Sequence, residues 1–250
     1  MRAKQSLGQN FLMHARIAER IALVAGSTKD TVVFEIGPGT GMLTRELLKL
    51  TKKVIAIEAD YELYNELQGT FAEEIAAGRL ELLSGDIRTF DISSLPKGYV
   101  LAANIPYYLT EDIFRMFLES ENQPETMTLL VQKEVAERIA RSKKESILSL
   151  SVKVFGTPKL EFTVPRGAFN PAPKVDSAVL TIRAISRKNF SSKEDEESFF
   201  NFLHAGFAHK RKFVRNNLTE RGLSVGNIPE KARAEDLSLA EWLSVNRMRE

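Results

Sequence analysis

Short apolar runs alternate with amphipathic segments through the first 141 residues of the chain. Five runs are short and almost wholly apolar, as buried strands are: Val32–Ile36, Val54–Glu58, Leu80–Ser84, Val100–Ala103 and Met127–Val131. The segments around them carry apolar residues at helical spacing, which predicts helices over His14–Ala25, Met42–Leu50, Tyr61–Ala77, Glu111–Leu118 and Glu134–Arg141. Because strands and helices that alternate in this way form parallel βαβ units, the pattern predicts an α/β fold, with a Rossmann-like sheet and helices on both faces.

The pattern changes after Ser142. Ile147–Phe155 and Val175–Ile182 alternate apolar and polar residues, with a proline-rich loop between them, and this predicts an antiparallel edge to the sheet. Beyond Ser191 the strand signals vanish, and four helices are predicted: Glu197–His209, Arg211–Arg221, Pro229–Ala234 and Leu239–Val245. We therefore expect a larger domain over residues 1–185 and a small all-helical domain over residues 186–250.

Composition excludes several classes of protein. The chain has no cysteine, so disulfides and thiolate metal sites are ruled out. Its three histidines, His14, His204 and His209, are too scattered to form a ligand cluster. No stretch approaches the roughly 18 apolar residues of a membrane span, and the polar, basic start of the chain is unlike a secretory signal. We expect a cytoplasmic protein without a metal or a membrane partner, and a monomer by default.

Basic residues gather near both ends of the chain, although the net charge is only +2. The first group is Arg2, Lys4, Arg16 and Arg20, and the second is Lys210, Arg211, Lys212, Arg215 and Arg221. Such groups are more often plain solvated surface, but if the fold brings them to one face they attract a polyanion. A helix near residues 210–215 is our candidate for contact with the backbone of a nucleic acid.

A glycine-rich turn, Gly37-Pro38-Gly39-Thr40-Gly41, lies between the first buried strand and a helix. Glycines let the backbone turn sharply and approach a ligand closely, although an ordinary βα turn is the plain alternative. Glu58 ends the next strand, where a carboxylate can accept hydrogen bonds from both ribose hydroxyls, and Asp86 follows the third strand, in reach of an adenine amino group. The G-x-G-x-G spacing with acids at strand ends predicts S-adenosylmethionine rather than a nicotinamide dinucleotide, which would bring a pyrophosphate to the helix N-terminus.

The fourth strand runs into Asn104-Ile105-Pro106-Tyr107. The exocyclic amine of adenine is a poor nucleophile because its lone pair is delocalised into the ring. The side-chain oxygen of Asn104 and the main-chain carbonyl of Ile105 or Pro106 can accept its two N–H groups, which localises the lone pair toward a methyl donor. Tyr107 can stack on a base that has been flipped out. The plain alternative is that Asn104 caps the next helix, but Thr110 is the better candidate for that cap.

Phe169 is a second aromatic candidate. It precedes Pro171 and Pro173, which predict a rigid, extended loop. Such a loop could hold Phe169 against the other face of the base. Packing in the core is the plainer interpretation of a single phenylalanine.

Several motifs together resemble the KsgA family, the small-subunit (16S) rRNA adenine N6,N6-dimethyltransferases. They are Lys4-Gln5-Ser6-Leu7-Gly8-Gln9-Asn10-Phe11-Leu12, residues 35–41 and 104–107, residues 169–179, and the tail segments 210–218 and 233–239. The resemblance implies a class I methyltransferase sheet and the transfer of two methyl groups to each of two adjacent adenosines. These adenosines lie in a hairpin loop near the 3′ end of small-subunit rRNA and are methylated late in assembly of the immature small ribosomal subunit.

The same resemblance assigns roles to particular residues. It places cofactor contacts on Asn10, Leu12, Gly37, Gly39, Glu58, Asp86 and Asn104, and it makes Phe169 the second stacking face. Residues 1–185 become the catalytic domain and residues 186–250 an rRNA-binding domain. The N-terminal segment, which composition alone would assign to a disordered tail, is implied to fold over the cofactor. One departure is Glu145-Ser146, where the family has Tyr-Gly, and this leaves the conformation of the neighbouring loop open.

Three other functions stay open. A large-subunit rRNA adenine methyltransferase of the antibiotic-resistance type shares several of these motifs, but Pro38 and the tail around Leu237-Ser238-Leu239 favour the KsgA family. A non-catalytic ribosome assembly factor would not need Glu58, Asp86 and Asn104 intact. A nicotinamide dehydrogenase would need an acid/base pair for hydride transfer, which is not evident, and would leave residues 104–107 unexplained.

Overall fold

The computed structural model describes residues 8–247 of the chain, without the side chain of Arg247. Arg2, Lys4 and the first part of the motif that begins at Lys4 lie outside the described residues. The chain divides into two compact units. The first runs to Ala136 and includes Lys159–Ile185, and the second combines Glu137–Pro158 with the segment from Ser186 onward.

A seven-stranded sheet carries the first unit. Its strands are β2 (Val32–Ile36), β3 (Lys53–Glu58), β4 (Leu80–Ser84), β5 (Val100–Asn104), β6 (Thr126–Gln132), β7 (Thr157–Val164) and β9 (Ser177–Arg183). They are ordered β4-β3-β2-β5-β6-β9-β7. The first five are mutually parallel, and β9 runs antiparallel to β6. A separate antiparallel pair joins β1 (Phe11–Leu12) to β8 (Phe169–Asn170).

The helices of this unit follow the strands, as the alternation predicts, and the α/β Rossmann-like class is confirmed. They are α1 (Ala15–Val24), α2 (Met42–Leu50), α3 (Tyr61–Thr70), α4 (Ala72–Ala76) and α5 (Thr110–Leu118), and α6 (Lys133–Ala140) begins in this unit and ends in the second. The single helix predicted over Tyr61–Ala77 is interrupted at Phe71, whose backbone leaves the helical region. The Phe71 ring is buried in the core, so tertiary packing takes precedence there over helical continuity.

The strand predicted over Ile147–Phe155 is wrong, because the structure has helix α7 (Ile147–Lys153) there and places the edge strand at β7. Ser146 caps α7: its hydroxyl accepts from the Ser149 N–H at 3.1 Å, and the Ser149 hydroxyl accepts from the Ser146 N–H at 2.7 Å. Glu145 forms an ion pair with Lys153 at 2.5 Å. The residues that depart from the family pattern, Glu145-Ser146, therefore start and stabilise a helix.

The second unit is helical, with α7 joined by α8 (Lys193–Gly206), α9 (Val214–Thr219) and α10 (Leu239–Arg247). Its core includes Trp242, which is fully buried between Phe202 and Phe207, with ring centroids 5.7 and 5.6 Å away. The helix predicted over Pro229–Ala234 is wrong: this segment forms turns, followed by a short 3₁₀ helix over Ala234–Asp236. Among residues 8–247, no helix has the length and apolarity to cross a membrane.

The predicted helix over Arg211–Arg221 also begins later than expected, at Val214. The backbone N–H of Val214 donates to the carbonyl of Ala232 at 2.9 Å, and Phe213 before it is extended. Lys210, Arg211 and Lys212 consequently lie in turns between α8 and α9 and not on a basic helix.

Candidate active site

The carboxyl ends of β2, β3, β4 and β5 open onto one cavity of about 1150 Å³, counted out to its mouth on the solvent. In open α/β sheets, ligands bind where the strand order reverses, which here is between β2 and β5. Nine of the predicted site residues line this cavity: Asn10, Leu12, Gly37, Gly39, Glu58, Asp86, Asn104, Pro106 and Tyr107. Residues far apart in sequence are thus brought together at the sheet's switch point.

The glycine-rich turn forms one wall of the cavity. Gly37 and Gly39 have φ values of +65° and +59°, a region that side-chain-bearing residues rarely adopt. A Cβ on Gly37 would meet nothing within 4 Å, whereas a Cβ on Gly39 would lie 3.1 Å from the Phe11 ring. The first glycine therefore leaves open space in the cavity for a ligand, and the second lets the N-terminal segment pack closely over the turn.

Glu58 is held rigidly at the end of β3. Its two carboxylate oxygens accept hydrogen bonds from the backbone N–H groups of Gly39, at 3.0 Å, and Asp60, at 2.9 Å. Burial raises the pKa of Glu58, while these backbone hydrogen bonds act in the opposite direction. The carboxylate is 5% exposed and fixed in orientation, as a group that recognises a pair of hydroxyls should be.

Asp86 lies beyond the end of β4, where its Oδ1 accepts from the Arg88 N–H at 2.9 Å. The Arg88 guanidinium also holds this carboxylate, with Nε at 3.0 Å and Nη2 at 2.5 Å from Oδ2. The hydrogen bond from Arg88 is the main reason that the pKa of Asp86 is lowered. Asp86 therefore stays an ionised acceptor. Within residues 8–247, no group of three or more His, Asp or Glu side chains is placed to bind a metal.

The segment from Gly8 to Leu12 covers one side of the cavity. The Gln9 side chain donates to Asp60 Oδ2 at 3.1 Å, and the Asn10 carbonyl accepts from Asn104 Nδ2 at 3.1 Å. The pairing of β1 with β8 fixes Leu12. Sequence reasoning missed the tether at Gln9, since only the fold brings it beside Asp60.

Asn104 ends β5 with its amide oriented by that hydrogen bond. Because Nδ2 donates to Asn10, Oδ1 is the atom that can accept an amine N–H from a substrate. The Pro106 carbonyl already accepts from the Leu109 N–H at 3.0 Å, which makes the Ile105 carbonyl the better second acceptor.

The expected Thr110 cap is wrong: Leu109 is the N-cap, without a side-chain hydrogen bond, and the mostly buried Thr110 is the first residue of α5.

Tyr107 lines the cavity while its hydroxyl is anchored outside it. Tyr107 Oη and Ser177 Oγ are 2.6 Å apart, and Ser177 is fully buried at the start of β9. Burial of the phenol raises the pKa of Tyr107. Ser177 belongs to the motif at residues 169–179, but only the structure shows that it is the partner that restrains the Tyr107 ring.

Phe169 is placed differently from Tyr107. It is 5% exposed, belongs to a buried apolar cluster that includes Leu12 and Val164, and is not among the residues that line the cavity. In this arrangement its ring packs in the core. A stacking role would require the ring to be uncovered, and that role stays a prediction.

Glu35 is a buried acid in β2 that also lines the cavity. It is 1% exposed, and its Oε2 has no hydrogen-bond partner among the described residues. Burial raises its pKa to about 8, and the charge of Glu58 adds to this shift. The sequence analysis assigned this acid no role.

In the second unit, the basic segment is exposed at Lys210, Arg211 and Lys212, and Arg215 is half-buried. Lys212 forms an ion pair with Glu220 at 2.6 Å. The exposed side chains of this segment are accessible to a polyanion.

Known proteins are similar to this chain over nearly its whole length. A family model described as ribosomal RNA adenine dimethylase matches residues 1–249. A ribosomal RNA small subunit methyltransferase A from Dehalococcoides mccartyi is 38% identical over 97% of this chain and 87% of that protein.

Solved structures are similar as well. A dimethyladenosine transferase from Plasmodium falciparum superposes with a TM-score of 0.79 at 28% identity, covering 94% of this chain and 95% of that one. The 23S rRNA methyltransferase ErmE superposes with a TM-score of 0.78 at 25% identity, covering 96% and 99%. The fold is thus shared with an enzyme named for 23S rRNA, whereas the curated relative above is named for the small subunit, so fold alone does not distinguish the substrates.

Proposed function

The chain belongs to the ribosomal RNA adenine dimethylase family, and from this premise we propose that it transfers methyl groups from S-adenosylmethionine to the N6 amine of adenosines in small-subunit rRNA. The observation that carries the proposal is the geometry of Asn104. Its amide nitrogen is occupied by the Asn10 carbonyl, so its oxygen is left to accept from an amine in a cavity that Tyr107 also lines.

The cavity residues fit S-adenosylmethionine. Glu58 is oriented to accept hydrogen bonds from the two ribose hydroxyls, and Asp86 is an ionised acceptor for the adenine amino group. Gly37 leaves room beside the turn, and residues 8–12 cover the site. When bound, this cofactor supplies a methyl group already activated on a sulfonium, so the protein's task is to position the amine.

Asn104 Oδ1 and the Ile105 carbonyl accept the two N–H groups of the target amine in this proposal. Both bonds strengthen as the nitrogen becomes tetrahedral, which favours the transition state over the bound substrate. Pro106, with φ at −57°, stiffens the loop that carries these acceptors. Tyr107, restrained by Ser177, stacks on the flipped base.

Small-subunit rRNA is the substrate that the relatives favour, since the curated relative above is named for the small subunit. Within this proposal the targets are two adjacent adenosines of the 3′-terminal hairpin loop, each dimethylated late in small-subunit biogenesis. Residues 1–185 act as the catalytic domain and residues 186–250 as the rRNA-binding domain. The protein acts as a monomer in the cytoplasm.

The proposal is tested by methyl transfer from labelled S-adenosylmethionine to undermethylated small subunits and, separately, to large subunits. We expect N6,N6-dimethyladenosine in the small-subunit rRNA only, as identified by nucleoside analysis. Label in the large subunit would assign the chain to the antibiotic-resistance type of enzyme. Binding to small subunits without any transfer would assign it to the assembly factors.

Charge reversal tests the proposed RNA contact. Replacing Lys210, Arg211 and Lys212 together by Glu is expected to weaken binding to small subunits tenfold or more, since fewer counterions are released when fewer phosphates are neutralised. The salt dependence of binding should become shallower by about one unit in log–log slope for each phosphate that the variant no longer neutralises. Cofactor affinity should be unchanged.

The matched control for this variant reverses three other exposed lysines, Lys52, Lys97 and Lys143. It changes the net charge by the same amount and should leave subunit binding much closer to that of the wild type. Equal losses in the two variants would show a general charge effect and remove the assignment of the basic segment.

A further inference from the structure

Two adjacent tyrosines in the loop after β5 lie in different environments. Tyr107–Leu109 form a 3₁₀ turn, in which successive side chains point about 120° apart. The hydroxyl of Tyr107 is anchored by buried Ser177, whereas Tyr108 is 58% exposed and also lines the cavity. In the proposed function Tyr107 stacks on the target base, whereas the large exposed ring of Tyr108 has no role.

The Tyr108 ring is supported by the chain on one side. Gly8 lies against it so closely that a Cβ there would be 3.1 Å from the ring and 3.4 Å from Pro106. Gly8 has a φ of +61°, which also favours glycine. An aromatic ring that is backed by protein and open to solvent offers a platform on which a base can stack at little entropic cost.

A cationic side chain lies at the same cavity. Arg88 lines it, and 59% of its side chain is exposed even while Nε and Nη2 hold Asp86. A guanidinium has five N–H donors, so these bonds to Asp86 do not exhaust it. Proteins hold single-stranded RNA by combining an exposed aromatic ring, which lies under a base, with a cationic side chain near a phosphate, and both kinds of side chain line this cavity.

We infer that Tyr108 and Arg88 form a second nucleotide position at the mouth of the active site, which holds the nucleotide next to the target adenosine. The inference rests on the proposed function, because it takes the substrate to be unpaired RNA with one base flipped onto Tyr107. Tyr108 stacks on the neighbouring base and Arg88 contacts a phosphate beside it. The position thereby sets the register of the strand relative to Asn104.

The test begins with Tyr108→Ala, assayed on undermethylated small subunits. We expect the KM for subunits and the Kd of the subunit complex with S-adenosylhomocysteine to rise about tenfold, because one base–aromatic stack is removed. Tyr108→Phe, which keeps the ring, should recover most of this affinity. The matched control is Tyr61→Ala, another exposed tyrosine, which packs on Tyr64 in α3 and should have no effect.

A second measurement asks whether Tyr108 stacks on the proposed base. Small subunits are assembled on rRNA that carries an abasic nucleotide beside the target adenosine. The abasic site should weaken binding of the wild type by about the same factor as the Tyr108→Ala substitution does. It should weaken binding of the Tyr108→Ala variant only slightly further. Independent, additive losses of affinity would overturn the inference.

Other outcomes are equally decisive. If Tyr108→Ala weakens binding of S-adenosylmethionine itself, the ring only supports residues 8–12, and the inference fails while the proposed function stands. If this variant binds and methylates subunits normally, the inference also fails while the proposed function stands. If the wild type does not methylate small subunits, the proposed function fails instead, and binding of a single-stranded adenosine oligonucleotide by the wild type and the variant then decides the role of Tyr108.

Discussion

Replacing Asn104 by alanine should lower kcat for methyl transfer by at least about 100- to 1000-fold, the usual effect of removing a preorganised polar group that acts on the transition state. The side chain has two tasks in the proposed mechanism. Its oxygen accepts an N–H of the target amine, and its nitrogen donates to the Asn10 carbonyl and so ties the covering segment to the loop. Single-turnover transfer to small subunits, measured with cofactor and RNA in excess over their dissociation constants, isolates the catalytic effect.

Two further variants separate these tasks. Asn104→Asp keeps an acceptor oxygen but, when ionised, cannot donate to the Asn10 carbonyl, so activity of Asp above that of Ala shows that the acceptor contributes without the hydrogen bond to the covering segment. Asn65→Ala removes an exposed asparagine from α3 and should be neutral. A kcat for Asn104→Ala within tenfold of the wild type would contradict the assignment of Asn104 as the residue that positions the amine.

Replacing Glu35 by glutamine should stabilise the cofactor-free protein at pH 8 by on the order of 3–4 kcal/mol, with little change near pH 4.5. Burial raises the pKa of this carboxyl from 4.5 to about 8 in the folded protein. Between these values the unfolded chain has lost a proton that the folded protein keeps. The free energy of unfolding of the wild type therefore falls as pH rises through this window, by about 1.4 kcal/mol per pH unit at most. Glutamine stays neutral, so the variant lacks this decrease.

Urea unfolding of both proteins between pH 4.5 and 8 measures the difference directly. The matched control is Glu46→Gln, which removes another largely buried carboxyl, but one that is paired with Lys49 at 2.7 Å. It should not gain stability toward pH 8. Parallel stability curves for the wild type and Glu35→Gln would show that Glu35 is ionised in the folded protein.

The central parallel strands of the first unit could be predicted closely because they are buried on both faces. Runs such as Val32–Ile36 and Val100–Asn104 have little polar content, and a continuous apolar run between helices has few other stable arrangements. The cavity-lining motifs were predictable for a related reason. The motifs that carry Gly37, Glu58, Asp86 and Asn104 follow the carboxyl ends of parallel strands, which share one edge of the sheet, so their order in sequence already implies proximity. Asn10 and Leu12 were expected at the site only from the family resemblance.

The secondary-structure predictions failed where the local conformation depends on a single interaction. Ile147–Phe155 alternates like a strand, but the reciprocal hydrogen bonds of Ser146 and Ser149 start a helix instead. The basic segment has helical periodicity, yet the bond from Val214 to the Ala232 carbonyl delays the helix and leaves Lys210 and Arg211 in a turn. Periodicity averages over a window of residues, and it does not detect a single hydrogen bond that shifts an element's boundary.

The sequence by itself determined the α/β class, the order of the parallel strands' motifs and several polar groups that line the cavity, among them Glu58, Asp86 and Asn104, because strand periodicity and residue chemistry are local properties. Only the tertiary structure decided which of these groups are oriented and by what. It tied Gln9 to Asp60, turned the Asn104 amide with the Asn10 carbonyl, anchored the Tyr107 hydroxyl on Ser177 and packed Phe169 into the core. The physical reason is that a hydrogen bond or a buried contact joins residues whose separation in sequence carries no information about their distance in space.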